Sequence, residues 1–125
     1  MNEHQMNSMH HGSIMSDHLK QSALDYFKSF SEKNIAKISE MFSEDINLQD
    51  WEILASGKAD VLTANREIFD SVASIKVMPQ RLFSEGATVV AELEITIDSK
   101  TKLSVVDVLD FNDNGLISNI RAYKG

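Results

Sequence analysis

The chain of 125 residues has no cysteine and has fewer basic than acidic residues, 12 against 19. The lack of cysteine excludes disulfides, thiolate chemistry and cysteine-ligated zinc, and it fits a reducing compartment. The net charge of −7 leaves no basic surface for the phosphates of a nucleic acid. No apolar run approaches the ~20 residues of a membrane span. We therefore expect a cytoplasmic protein with neither a nucleic-acid nor a membrane partner.

The composition present is that of one globular domain, with 42% hydrophobic and 25% charged residues. The first segment differs, because it is rich in methionine and histidine and lacks both periodicity and the apolar core of a secretory signal. We predict a disordered tail over residues 1–15 and a single domain over residues 16–125. His4, His10 and His11 lie in that tail without a carboxylate or cysteine cluster at ligand spacing. We therefore predict no metal site and no cofactor.

The spacing of apolar residues changes once along the chain. Helical spacing after the N-cap Ser16, and again further on, predicts three helices, with a short strand and a loop before the third. Their expected bounds are about 16–30, 35–42 and 58–72, with the strand at 46–50 and the loop at 51–57. From Ser74 the period is two, which predicts four strands at about 74–84, 87–98, 101–112 and 116–124. Helices followed by a strand meander predict an α+β fold, with three N-terminal helices packed on a curved, mainly antiparallel sheet.

One carboxylate interrupts an apolar strand face. Alternate residues of the third of these strands share a face, namely Leu103, Val105, Asp107, Leu109 and Phe111. Because four of the five are large and apolar, this face should point into a core or pocket. Removal from water raises the pKa of a carboxyl group and lets it donate a proton, so Asp107 is a candidate site residue. The alternative is a structural aspartate satisfied by backbone amides or by a neighbouring base.

Several segments, taken in order, carry a resemblance to a known family. They are Met41–Asp50 at the first strand, Gly57 before the third helix, the turn Phe111–Gly115 and the final strand segment Ile120–Tyr123. Over about residues 17–124 the chain resembles the nuclear transport factor 2-like superfamily, including its small SnoaL-like members. The resemblance implies a cone-shaped α+β barrel and a homodimer. It leaves function open, because the fold hosts isomerases, dehydratases, epoxide hydrolases, polyketide cyclases and non-catalytic binding domains.

Within this superfamily the sequence is most similar to the ketosteroid isomerase type. That type carries a tyrosine on its first helix, an aspartate ending its first strand and an aspartate on its penultimate strand, which fall on Tyr26, Asp50 and Asp107. The resemblance implies that Asp50 removes a proton beside a carbonyl group, while Tyr26 and protonated Asp107 donate hydrogen bonds to the enolate oxygen. It also implies a hydrophobic ligand, and the predicted ligand contacts are Trp51, Phe69, Leu109 and Tyr123.

Two classes of function remain open at this point. The first is a small cofactor-free enzyme, isomerase-like or polyketide cyclase-like, that transfers a proton beside a carbonyl group of a hydrophobic small molecule. The second is a non-catalytic ligand-binding or accessory domain. Convergence of Tyr26, Asp50 and Asp107 on one cavity would favour the enzyme. A salt bridge from Asp107 to Arg66 or Arg121 would favour the second class.

Overall fold

The computed structural model describes residues 3–125, with side chains described from residue 16 onward. In this part of the chain three helices and six strands follow one another. They are α1 (Glu3–Ser31), α2 (Ile35–Met41), β1 (Phe42–Gln49), β2 (Leu54–Ser56), α3 (Lys58–Ser71), β3 (Ile75–Glu85), β4 (Thr88–Ile97), β5 (Thr101–Phe111) and β6 (Ile117–Lys124). The predicted α+β class is confirmed, with a curved six-stranded sheet and three helices.

The first helix, α1, begins earlier than predicted. The helix begins at Glu3 and not at Ser16, so its backbone includes most of the segment predicted as a disordered tail. The chain has its single proline at Pro79, so no proline stops a helix upstream of Ser16. Gly12 lowers helix propensity by only about 1 kcal/mol. The side chains of the three tail histidines lie outside the described residues.

Strand β2 corrects a second prediction, because the segment 51–57 is not entirely loop. Its residues pair antiparallel with the end of β1, in the register Leu48 to Ala55. Three residues are too few to show an alternating pattern in the sequence, so this strand exists through its pairing. A smaller correction concerns Phe42, which begins β1 and does not end α2.

The sheet has the strand order β2-β1-β6-β5-β4-β3. The pairing of β1 with β6 is parallel and every other pairing is antiparallel, as the prediction of a mainly antiparallel sheet required. Irregular register between Pro79 and Arg81 in β3 is the kind of bulge that bends a strand. The register places Asp107 opposite Ala91 on β4 and Ala122 on β6. Two small neighbours on the same face leave open space around this carboxyl group.

The helices cover one face of the sheet from two sides. Helix α1 packs against β3 and β4, whereas α3 packs against β1 and β2. Lys33, in the turn after α1, fixes the two helices to each other. Its ammonium group donates hydrogen bonds to the carbonyl oxygens of Phe69 and Val72, at 2.8 and 2.7 Å. These bonds satisfy carbonyl groups at the C-terminal end of α3, which have no partner within the helix.

Within the described chain, every helix is too short or too polar to cross a membrane.

Candidate active site

A cavity of about 400 Å³ lies between the helices and the sheet. Its wall is largely apolar and comes from α1, α3 and five of the six strands, through Phe27, Phe30, Leu48, Ile68, Val72, Ile75, Val77, Leu93, Ile95, Ile97, Leu103, Val105, Ile120 and Ala122. Eight polar residues also line it, namely Tyr26, Asp50, Glu52, Asn65, Ser71, Thr101, Asp107 and Lys124. A mostly apolar wall with a few polar groups is the usual form of a small-molecule site. The three residues predicted to act together therefore do line a single cavity.

Asp107 is the polar residue at the centre of the sheet. Burial raises the pKa of its carboxyl group to about 7, and the negative charge of Asp50 raises it further toward that value. Among the residues that the structure describes, Asp107 has neither a salt bridge nor a side-chain hydrogen bond. The structural alternative, an aspartate satisfied by amides or a base, therefore finds no partner here. Near neutral pH a substantial fraction of the carboxyl group is protonated and can donate a hydrogen bond.

Tyr26 reaches the cavity from α1. Its ring is 5% exposed and lies 5.6 to 5.9 Å, between ring centroids, from those of Phe27, Phe30 and Phe42. These tilted and edge-on contacts fix the orientation of the phenol ring. Burial, and then the charge of Asp107, raises the pKa of Tyr26 above its ordinary value. The hydroxyl group consequently stays protonated and is a permanent hydrogen-bond donor.

Asp50 follows directly after β1. Its Oδ1 atom accepts hydrogen bonds from the backbone N–H groups of Glu52 and Ile53, at 2.7 and 2.6 Å. Its own backbone N–H donates to the carbonyl oxygen of Ile53 at 2.9 Å. This tight turn fixes the carboxyl group at the end of the strand, where it lines the cavity. Asp50 is near enough to Asp107 for its charge to act on the pKa of that residue.

Of the four predicted ligand contacts, Trp51 lines the cavity and the other three do not. Trp51 is 41% exposed, and the ammonium group of Lys124 lies 5.5 Å from its ring centroid. Phe69 packs instead edge-on against Phe30 in the core, with 4.7 Å between the ring centroids. Leu109 is completely buried in the core.

Tyr123 lies outside this cavity because of strand alternation, and it lines a second, smaller cavity together with Asp50 and Trp51. Ile120, Ala122 and Lys124 line the cavity, so Tyr123 points to the opposite face of β6 and is 57% exposed. Family resemblance places the end of this strand near the ligand, but it does not say which of two adjacent residues faces inward.

Asn65, which lies on α3 and lines the cavity, is a site residue that was not predicted from the sequence. This residue is 2% exposed, and its Nδ2 atom has no hydrogen-bond partner among the residues that the structure describes. A signal for it was present in the sequence. Asn65 stands four residues after Val61 and four before Phe69 on the apolar stripe of α3, so it is a polar residue on a buried face, as Asp107 is.

The two arginines considered as partners of Asp107 do not reach it. Arg121 donates to Oδ2 of Asp110 at 2.9 Å on the other face of the sheet, and Thr88 donates to Oδ1 of Asp110 at 2.6 Å. These hydrogen bonds hold the pKa of Asp110 below its ordinary value, against the opposing effect of burial. Arg66 is exposed on α3. The ion pair that would have favoured a non-catalytic domain is absent from the described residues.

Comparison with known proteins gives one match to a family, the SnoaL-like domain, over residues 23–120. No curated protein matches the chain. Similar solved structures include a provisionally named ketosteroid isomerase from Kribbella flavida, which is 20% identical with a TM-score of 0.77, over 88% of this chain and 79% of that one. An LEH-like epoxide hydrolase of M. tuberculosis is 15% identical with a TM-score of 0.77, over 89% and 85% of the two chains. The epoxide hydrolase/cyclase-like enzyme SalBIII, of pyran ring formation in salinomycin, is 22% identical with a TM-score of 0.77, over 87% and 92%. At these identities the likeness establishes the fold alone.

Proposed function

The chain belongs to the SnoaL-like family of the nuclear transport factor 2-like superfamily, and we propose that it is a cofactor-free enzyme of proton transfer beside a carbonyl group. Its substrate is a hydrophobic small molecule that occupies the cavity. The observation that carries this proposal is the meeting of Tyr26, Asp50 and Asp107 on one largely apolar wall. They supply one fixed carboxylate and two protonated donors, which are the groups that an enolisation requires.

In the proposed reaction Asp50 removes a proton from the carbon next to the carbonyl group. The electrons of the broken C–H bond form a carbon–carbon double bond, and negative charge develops on the carbonyl oxygen. The hydroxyl group of Tyr26 and the protonated carboxyl group of Asp107 donate hydrogen bonds to that oxygen. Asp50 then returns its proton to a carbon of the conjugated system, so the reaction is an isomerisation with no net change in atoms or electrons.

An unpaired Asp107 supports this chemistry over activation of a water molecule by an arginine–aspartate pair. Such a pair would keep Asp107 ionised, because a nearby positive charge favours the charged form. Arg121 is instead engaged with Asp110. The pKa of Asp107 is accordingly raised and not lowered.

The proposal has two further parts. The sheet closes around the ligand in the form of a cone, and two copies of the chain form a homodimer.

A second candidate function, ligand binding without turnover, is favoured by one observation. Oδ1 of Asp50 already accepts two short hydrogen bonds from the backbone. Proton transfer would then depend on the other carboxyl oxygen, Oδ2. In this alternative the same cavity holds the same class of molecule, and Asp50 only shapes the turn at its edge.

Deuterium exchange separates the two candidates. In heavy water, the wild-type protein should incorporate deuterium beside the carbonyl group of a bicyclic enone, as followed by NMR. Asp50→Asn should abolish this exchange without loss of binding, and Tyr26→Phe should slow it by about 10²- to 10³-fold. Asp70→Asn, an equal change of charge on the exposed side of α3, is the control. Equal exchange with wild type and Asp50→Asn would leave only the binding function.

A further inference from the structure

Asn65 lines the cavity and has no part in the proposed reaction, and it is buried, whereas the other such polar residues, Glu52, Ser71, Thr101 and Lys124, are exposed. Asn65 is only 2% exposed, and its amide nitrogen has no hydrogen-bond partner within the described part of the chain. Leaving a buried donor without a partner has a cost in stability. Nearly all buried polar groups in native proteins avoid that cost, so an exception calls for a reason.

A structural reason for Asn65 is not found in its surroundings. The residue lies within α3, where its backbone is already paired in the helix, so the side chain is not needed as a cap. Asparagine is also a weaker helix former than leucine, which would suit an apolar stripe better. What remains is the cavity that the residue lines. An acceptor atom inside the cavity would satisfy the free donor.

This donor lies on a different element from each of the two donors that serve the carbonyl oxygen. Helix α3 packs on β1 and β2, whereas α1, which carries Tyr26, packs on β3 and β4. The amide nitrogen of Asn65 makes no hydrogen bond to Asp107, since it has no partner at all among the described residues. A molecule that fills the cavity can meet side chains of α1, β5 and α3, because Tyr26, Asp107 and Asn65 all line it.

We infer that Asn65 is a specificity-determining residue that donates a hydrogen bond to a second acceptor on the bound molecule. The ligand is then a hydrophobic carbonyl compound that carries another carbonyl, ether or hydroxyl oxygen away from the reacting group. The assignment of the first carbonyl group rests on the proposed function. The role of Asn65 in binding does not, because it holds equally for a ligand that is bound without turnover.

Two matched ligands and two variants test the inference. The ligands are a methyl-substituted bicyclic enone and the enedione with the same carbon skeleton and one additional ketone on the far ring. Asn65→Leu removes the donor and keeps a side chain of the same branching and the same number of heavy atoms. Thr63→Leu, at an exposed position of the same helix, controls for the gain in helix propensity. Binding is measured by calorimetry and stability by thermal unfolding without ligand.

We expect wild type to bind the enedione more tightly than the enone, and Asn65→Leu to lose about tenfold in affinity for the enedione alone. Without ligand, Asn65→Leu should unfold at a temperature about 3 °C or more above that of Thr63→Leu, since an unsatisfied buried donor is gone.

Three results would overturn the inference. One is equal loss of affinity for both ligands, and another is failure of both ligands to bind wild type. The third is destabilisation of unliganded Asn65→Leu, which would mean that the amide has a structural partner. Absence of deuterium exchange with binding retained would reject the proposed enzyme but leave the role of Asn65 intact.

Discussion

Asp107 shows how one residue can be identified by its conflict with its neighbours. The alternation of β5 places Asp107 among large apolar side chains. Its neighbours on the adjacent strands, Ala91 and Ala122, are small and cannot form an ion pair with it. The sequence predicted the inward direction of Asp107 correctly. It could not supply the second cause of the raised pKa, the charge of Asp50, because that depends on how the strands meet in space.

Replacement of Asp107 by asparagine should remove a pH dependence of stability. The folded-state pKa is raised to about 7 from an ordinary value of 3.8. Below the ordinary value the carboxyl group is protonated in both states, so it imposes no penalty. As the pH rises toward 7 only the unfolded chain ionises, and the free energy of unfolding falls by about 1.4 kcal/mol per pH unit.

The free energy of unfolding of Asp107→Asn, relative to that of wild type, should therefore rise by about 2–4 kcal/mol between acidic and mildly alkaline pH. Urea denaturation at about pH 4 and pH 8 measures the difference. A large loss of stability in Asp107→Asn at the higher pH would show that the carboxylate is a structural ion-pair partner.

At the scale of elements, the local spacing of apolar residues was sufficient to predict the bounds of an element that packs along its whole length. The bounds of β3 to β6 and of α3 lie within two residues of the predicted ones, because their alternating or helical spacing reflects continuous burial. The spacing of apolar residues did not predict features that depend on which strands pair with each other in the sheet. The short strand β2 exists through its partner β1, and the inward face of β6 is set by its register with β5 and β1.

The attachment of α3 to the turn after α1 gives a prediction at this scale. Lys33 has a positive φ of 54°, which asparagine tolerates, but the shorter asparagine side chain cannot reach the carbonyl groups of Phe69 and Val72. Lys33→Asn should lower the free energy of unfolding by about 1–2 kcal/mol. Lys37→Asn, at an exposed position of α2, is the control for charge. Equal denaturation midpoints for the two variants would show that the ammonium contacts contribute nothing to stability.

For the whole molecule, the outer face of the sheet is the feature that helices do not cover. Val106 and Val108 are partly exposed there, and Val106 pairs with the exposed Tyr123. Apolar surface of this kind, next to the polar residues Ser104 and Asp110, fits a contact between two copies. The alternation of residues along β5 predicted from the sequence which residues lie on this face. The homodimer itself stays a prediction.

Light scattering should give a mass of twice the 14.0 kDa of the chain at micromolar concentration. Val106→Lys should shift the protein toward the monomer, because it places a charge in the contact. Ala36→Lys, an equal change of charge on the exposed side of α2, should leave the mass unchanged. A monomeric wild-type protein would reject the dimer.

The central claim is that Asp107 acts as a protonated donor beside an oxygen on which charge develops. The most direct measurement is the pH dependence of deuterium exchange into the bicyclic enone, for wild type and Asp107→Asn. In wild type the rate should fall as the pH rises through about 7, because ionisation of Asp107 removes a donor and adds negative charge beside the enolate. The amide of the variant stays neutral, so its rate should show no such fall between about pH 6 and pH 9. The same fall in both proteins, or none in wild type, would contradict the claim.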